Sequence, residues 1–240
     1  MRSILLLGFL MGVRHALEAD HLAAVASLAT RSRSTGSILL QGTAWGLGHT
    51  ITLLLLGGAC LLVGAVIPDA LAHALELGVG LMLLLLGGQV FWRLRRQRVH
   101  VHLHRHADGT AHLHAHSHPP GQPHRQAGHD HDGHAHPRRL PRRALLVGMV
   151  HGMAGSAALL LVTLTAVASP WVGLAHVALF GAGSILGMAV LSAIIAVPLR
   201  VSARMLSAVP VGAEAVIGCA TLLIGGRVLY EAGALLGALR

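Results

Sequence analysis

The sequence predicts an all-α polytopic membrane protein whose six transmembrane helices form a 3+3 inverted repeat. Of its 240 residues, 54% are hydrophobic and only 11% are charged, a balance far from that of soluble domains. Six apolar windows are long enough for a hydrocarbon core of about 30 Å, which about 20 helical residues cross. Segments of the first half also recur in the same order in the second half.

The apolar windows form two groups of three, separated by a polar segment. They cover residues 3–29, 37–67, 70–92, 144–168, 171–198 and 211–236. The predicted divisions of the chain are a first three-helix membrane repeat (1–94), a cytoplasmic His-rich disordered loop (95–143) and a second three-helix membrane repeat (144–240).

The placement of the arginines predicts the orientation of the chain. Fourteen of them lie in three connections on one side of the membrane, near Arg31, within residues 93–143 and near Arg200. The positive-inside rule makes that side cytoplasmic and puts both termini outside, in a bacterial-type inner membrane. Since this basic charge follows topology and aromatic residues make up only 3% of the chain, we expect a lipid bilayer as partner and no nucleic acid.

The internal repeat pairs residues of the two halves. The matched segments are 10–16 with 146–152, 45–49 with 180–184, and 87–90 with 225–228. His15 thus corresponds to His151, and Glu76 corresponds approximately to Glu214. Because each copy has an odd number of helices, three, the second copy has the opposite orientation in the membrane. Inverted repeats of this kind are typical of transporters with a midplane site. Glu76 and Glu214, expected near opposite membrane faces, are predicted gates or proton sites, with structural capping as the alternative.

The first predicted helix carries five ionisable side chains within the eight residues 14–21. Each Arg or Asp at a helix centre opposes insertion by about 2.5–3.5 kcal/mol, whereas each Leu, Ile, Val or Phe favours it by about 0.3–0.6 kcal/mol. Such charges persist where partners satisfy them, and they are functional candidates. On a straight helix His15, Glu18 and His21 share one stripe and Asp20 faces elsewhere, whereas a bend would bring Asp20 round. Both alternatives stay open at this point.

Two imidazoles beside carboxylates form a ligand set that borderline divalent metals accept. A ligand histidine must be neutral, and a carboxylate that holds its second ring N–H fixes the tautomer, a task that suits Asp20. His49, about twelve residues into its span, offers a third nitrogen near the bilayer centre, and His151 offers a fourth. The predicted metal-binding residues are His15, Glu18, Asp20, His21, His49 and His151.

The polar segment between the repeats contains thirteen histidines. Its composition cannot bury a core, and short His-rich tracts bind metals, so we expect a metal-binding loop that is disordered without metal. The loop would buffer incoming metal, deliver metal to an export pathway, or sense its cytosolic concentration. The histidines are His100, His102, His104, His106, His112, His114, His116, His118, His124, His129, His131, His134 and His136.

Three motifs carry a resemblance to a known family. Residues 14–21, RHALEADH, are similar to the RHA-x-DADH signature of the nickel/cobalt transporter superfamily, with Glu18 where Asp is usual. Residues 47–50 look like its LGH-[ST] motif, and residues 151–156 resemble the HG-x-AGS stretch of its shorter, urease-accessory-like branch. The chain is most similar to short six-helix urease-accessory-like or efflux-like members with a His-rich loop. It lacks the GFDTATE-like acidic motif of the eight-helix importers.

The resemblance implies that His15, Asp20, His21 and His49 take part in metal recognition and transport. We therefore predict transmembrane transport of Ni²⁺ or Co²⁺ through a midplane His/carboxylate site, without enzymatic activity or a prosthetic group. Partners would be the ion itself and metallochaperones or nickel-enzyme assembly proteins. The alternatives are an intramembrane zinc-dependent hydrolase, for which the sequence offers no HExxH motif, and a non-transporting metal-storage or metallocentre-assembly membrane protein.

Overall fold

A computed structural model of the chain describes residues 2–30, 34–96, 99–105, 111–117, 141–166, 169–203 and 208–238. Within these residues, helices occupy the apolar windows of the sequence. They are α1 (Arg2–His15), α2 (Ala19–Ala29), α3 (Thr35–Thr52), α4 (Gly58–Val63), α5 (Asp69–Arg96), α6 (Arg142–Ala166), α7 (Pro170–Ala203) and α8 (Ala208–Ala238). A π-helical turn, Leu53–Gly57, joins α3 to α4 without a break.

Four helical stretches among the described residues are long and apolar enough to cross a membrane. They are Thr35–Val63, Asp69–Arg96, Pro170–Pro198 and Val211–Ala238. The chain is therefore a membrane protein built mainly of helices. The predicted total of six spans stays a prediction, because the first predicted span is divided into helices of 14 and 11 residues.

The first predicted span breaks within the charged motif. The backbone N–H of Leu17 donates to the carbonyl of Arg14 at 2.9 Å, and that of Glu18 donates to the carbonyl of His15 at 3.1 Å. This tight turn ends α1, and Glu18, with φ −65° and ψ 152°, leads in extended conformation into α2. Asp20 lies in the first turn of α2, where the helix dipole favours a negative charge. The straight-helix alternative is therefore wrong, and the bent one holds.

Glycines let the helices around the break approach closely. A Cβ atom on Gly152 of α6 would lie only 2.6 Å from the carbonyl oxygen of His49 in α3. On the other side of the bundle, a Cβ atom on Gly80 of α5 would lie 3.1 Å from the carbonyl oxygen of Gly225 in α8. Small residues at helix contacts are typical of membrane bundles, where backbone proximity replaces the hydrophobic effect as the source of association.

Two short strands lie between α5 and α6. Strand β1 (Val99–Arg105) pairs antiparallel with β2 (Ala111–Ser117), in a register that places His100 opposite His116 and His104 opposite His112. The sequence analysis did not predict these strands, although alternation with a period of two favours a strand. His106 and the six histidines within residues 118–136 lie outside the described residues. The proposed division of the chain at 95–143, with its disordered loop, stays a prediction.

Candidate metal centre

Four imidazoles meet at the break between α1 and α2. His15 ends α1, His21 lies at the start of α2, and His49 and His151 come from α3 and α6. The ring centroids of His15 and His21 are 4.4 Å apart, and that of His49 is 5.3 Å and 5.4 Å from them. The ring of His151 lies 3.9 Å from that of His21. His21 and His49 are completely buried, and His151 is 3% exposed.

Two carboxylates hold three of these rings in place. Asp20 Oδ1 accepts hydrogen bonds from His21 Nδ1 at 2.9 Å and from the His21 backbone N–H at 2.8 Å. Its other oxygen, Oδ2, accepts from His151 Nε2 at 3.0 Å. Glu18 Oε2 lies 3.0 Å from His15 Nδ1. A carboxylate in this position orients the ring, fixes its tautomer and makes the opposite nitrogen a better metal ligand.

Several ring nitrogens of this cluster have no hydrogen-bond partner among the described residues. They include Nε2 of His15, Nε2 of His21 and both nitrogens of His49. Leaving a buried polar atom unpaired costs about 1–3 kcal/mol, so four such atoms at one point indicate that the protein keeps them for a ligand.

The distances between these nitrogens suit a shared metal ion. His15, His21 and His49 each offer one nitrogen within 4.8 Å of the other two. Ligands bound to one ion at about 2.0–2.1 Å lie at most about 4.2 Å apart, so this grouping is close to the spacing that one shared ion requires. Asp20, His21 and His151 form a second such group, which shares His21 with the first. In that group, hydrogen bonds already join Asp20 to both histidine rings.

A cavity of about 550 Å³ leads to this cluster, and carboxylates line it. Four residues of the cluster, His15, Glu18, Asp20 and His151, line it, and so does Glu76 of α5. The second predicted gate residue, Glu214, lies near the start of α8 and is not among the described residues that line this cavity. The structure therefore brings all six predicted ligands together and brings Glu76, but not Glu214, towards them.

Sequence reasoning missed several residues of the site. Glu231 of α8 lines the cavity and forms an ion pair with Arg227, Nε to Oε1 2.7 Å. The ring of Trp45 lies nearly parallel to that of His21, with centroids 6.0 Å apart, and Phe180 lies 5.3 Å from His15. A polar residue near the outer end of an apolar helix gives no signal that it faces a cavity, so Glu231 could be found only through helix packing.

Comparison with known proteins decides the family. The urease accessory protein UreH of Bacillus sp. (strain TB-90) is 32% identical over 202 residues, which cover 84% of this chain and 80% of UreH. The chain belongs to the UreH family. This membership supports the resemblance to the nickel/cobalt transporter superfamily, whereas the narrower place among its short six-helix members stays a prediction. Because UreH is an accessory protein, the relationship also confirms that the chain is not an enzyme.

Two other comparisons gave no match for this UreH-family chain. No family model matches its sequence. No solved structure matches it either.

We expect Gly152→Ala to impair metal binding without a change to any ligand. The new Cβ atom would overlap the carbonyl oxygen of His49, and overpacking of this kind typically costs about 1–3 kcal/mol and moves the backbone. Ni²⁺ affinity, measured by equilibrium dialysis in chains that lack residues 100–136, should fall about tenfold or more for a displaced ligand. Gly88→Ala is the matched control, since a Cβ atom there meets nothing within 4 Å. Equal affinities of the two variants would contradict this account of how α6 positions His49.

Proposed function

We propose that this UreH-family protein carries Ni²⁺ or Co²⁺ across the membrane and binds the ion in transit through His15, His21 and His49. One observation supports this most strongly: His15, His21 and His49, from three helices, have buried ring nitrogens without a hydrogen-bond partner among the described residues, and each offers a nitrogen within 4.8 Å of the other two. Two of the rings are held from behind by carboxylates, as in metal-binding histidines generally. The charges of Glu18 and Asp20 would balance those of a divalent cation.

The donor atoms favour a borderline divalent metal. Imidazole nitrogen suits nickel, copper, zinc and iron, and both cysteines, Cys60 and Cys219, are free thiols outside the cluster. The motif in residues 14–21 favours nickel or cobalt within this group. The relative is named for urease, which supports a proposal that metallochaperones or nickel-enzyme assembly proteins exchange metal with this chain.

Two helix crossings around the cluster support the proposed inverted repeat. A Cβ atom on Gly12 of α1 would clash with the carbonyl oxygen of Phe180 in α7. A Cβ atom on Gly148 of α6 would clash with the carbonyl oxygen of Trp45 in α3. The sequence repeat pairs Gly12 with Gly148 and Phe180 with Trp45, so the two crossings use corresponding residues. A twofold axis between the repeats requires this arrangement, in which each contact in one half is repeated by the corresponding residues of the other half.

The contact between α5 and α8 has the same property. A Cβ atom on Gly80 would approach the carbonyl oxygen of Gly225, and one on Gly87 would approach that of Gly218, each at 3.1 Å. The repeat pairs Gly87 with Gly225, and the same offset pairs Gly80 with Gly218. We therefore propose six spans in two inverted halves with the metal cluster at their junction, both termini outside and the His-rich loop in the cytoplasm. Glu76 and Glu214 are the corresponding gate or proton residues.

Transport of radiolabelled Ni²⁺ into proteoliposomes tests this function. We expect the full chain to raise the rate of Ni²⁺ accumulation above that of protein-free vesicles, and the His15→Ala and His21→Ala variants to lose that increase. Unchanged flux in both variants would overturn the proposed pathway. Ni²⁺ binding without flux in the wild-type chain would instead favour a metal-storage or assembly protein.

Deletion of residues 100–136 should separate the loop from the pathway. We expect the shortened chain to bind several fewer Ni²⁺ ions per molecule, because it loses thirteen histidines, and to keep its maximal flux. Bound nickel is counted by atomic absorption, and flux is measured at saturating Ni²⁺. A shortened chain that folds and binds one ion but has no flux would contradict the proposed role in buffering or sensing.

A further inference from the structure

The cavity reaches the metal cluster from one end of the bundle. Because Gly80 contacts Gly225 and Gly87 contacts Gly218, α5 and α8 run antiparallel, and the start of α5 lies beside the end of α8. Glu76 comes from the start of α5, and Glu231 comes from the end of α8. Both line the cavity, so it extends towards the side of the membrane on which α8 ends. We call this cavity the vestibule and that side the terminal side.

The vestibule suits a hydrated cation. Four carboxylates line it together with Arg14, and one of them, Glu231, is also paired with Arg227, so four carboxylates face two guanidinium groups. His151 also lines it and is 3% exposed, and its Nδ1 has no hydrogen-bond partner among the described residues, which points to a ligand independently of the acidic groups. An ion with six waters needs about 200 Å³ at about 30 Å³ per water, well within the cavity of about 550 Å³.

The opposite end of α5, which leads into the His-rich segment and lies on what we call the loop side, has a different character. Arg93 lies seventeen residues after Glu76, about 25 Å along the helix. Its guanidinium donates to the carbonyl oxygen of Thr30 at 3.2 Å and also to the hydroxyl of Thr30, which caps the end of α2. Arg93 also interacts electrostatically with Glu214 near the start of α8. Arg93 thereby ties the half-helix that carries Asp20 and His21 to α5.

The repeat makes the difference between the two ends informative. The offset that pairs Glu76 with Glu214 also pairs Arg93 with Glu231. At these corresponding positions the terminal side has two carboxylates, Glu76 and Glu231. The loop side has one carboxylate, Glu214, and the guanidinium of Arg93. A divalent cation is attracted to the first pair, whereas a positive charge opposes its binding at the second.

We propose that the metal ion enters from the terminal side, is captured in hydrated form by Glu76 and Glu231, and leaves on the loop side past Arg93. This inference rests on the proposed transport function and adds to it a route with distinct ends. The hydrogen bonds of Arg93 to Thr30 hold the end of α2 to α5 at the end of the bundle opposite the vestibule.

The side on which the vestibule opens is tested by thiol labelling. Val228→Cys, on the vestibule wall, is made in a Cys60→Ala, Cys219→Ala chain and treated with a membrane-impermeant maleimide in intact cells and in inverted vesicles. We expect labelling only from the side where an N-terminal tag is accessible. Leu223→Cys is the control, because Leu223 lies on the same helix but outside the vestibule, with a side chain 74% exposed. We expect the labelling of this variant to be the same in intact cells and in inverted vesicles. Labelling of Val228→Cys only from the loop side would overturn the proposal.

The capture step is tested by charge removal. At ionic strength near 10 mM, where screening is weak, we expect the Glu76→Gln, Glu231→Gln double variant to lower the initial Ni²⁺ uptake rate about three- to tenfold, and the loss should shrink at high salt. Asp69→Asn, on the exposed start of α5 and outside the vestibule lining, is the control and should lower the rate far less than the double variant does. A double variant as fast as Asp69→Asn would overturn the proposed capture.

These outcomes separate the route from the transport function. Labelling of Val228→Cys needs no metal, so it reports the open side even if the chain transports nothing. If His15→Ala leaves flux unchanged, the proposed metal site fails. If His15→Ala abolishes flux while the double variant matches Asp69→Asn, the metal site stands and the capture role of Glu76 and Glu231 fails.

Discussion

Replacing His49 with glutamine should abolish nickel flux and weaken Ni²⁺ binding to the membrane part by more than about 100-fold. His49 is completely buried, and neither of its ring nitrogens has a hydrogen-bond partner among the described residues. Loss of a direct ligand should exceed the 10–100-fold loss typical when only a group that holds a ligand is changed. Affinity is measured by equilibrium dialysis in chains that lack residues 100–136, so that loop histidines do not mask the effect.

His176→Gln is the matched control for this experiment. His176 of α7 is also buried, at 4% exposed, but it belongs to neither metal-binding group found among the described residues. If removal of any buried imidazole weakened Ni²⁺ binding, both variants would lose affinity to the same extent. Wild-type affinity in a folded His49→Gln chain would contradict the assignment of His49 as a ligand.

Asp20→Asn should lower Ni²⁺ affinity about 10–100-fold although Asp20 is not assigned as a direct ligand. The aspartate accepts hydrogen bonds from rings on two different helices, His21 and His151, and also from the backbone of His21. Asparagine keeps the size but replaces one accepting oxygen with a donor, so one ring must change its tautomer or lose its hydrogen bond, and in either case it loses the negative charge that holds it. Titration of folded, loop-deleted protein with Ni²⁺ gives the affinity directly.

Glu18→Gln provides the comparison for Asp20→Asn. The Glu18 side chain is 54% exposed and holds a single ring, that of His15, so water can replace part of its contribution. We expect a loss of only a few-fold for an exposed partner of this kind. A larger effect of Glu18→Gln than of Asp20→Asn would show that Glu18, rather than Asp20, organises the cluster.

The helices of the membrane part were predictable because apolar length determines what crosses a bilayer. The window at 70–92 became Asp69–Arg96, and that at 171–198 became Pro170–Ala203. The hairpin β1–β2 was not predicted, since composition indicated disorder while the two-residue alternation of histidine favours a strand.

The members of the metal cluster could be predicted, but their arrangement could not. His15, His21 and His49 were found because intramembrane charge and imidazole are costly without a role. The contact between Asp20 and His151 depends on the break after His15. Helical periodicity alone could not distinguish this break from a straight helix. Glu231 was missed because its place in the vestibule arises from the packing of α8 against α5. Glu231 and Glu76, which share the vestibule, are 155 residues apart in the chain.

X-ray absorption at the nickel edge tests the central claim most directly. The sample is the chain without residues 100–136, loaded with one equivalent of Ni²⁺, so that no loop histidine contributes to the spectrum. The account predicts the multiple-scattering signature of about three imidazoles, two in His49→Gln, with the remaining positions filled by oxygen. A spectrum with oxygen ligands only, or one that His49→Gln leaves unchanged, would contradict the histidine site at the break between α1 and α2.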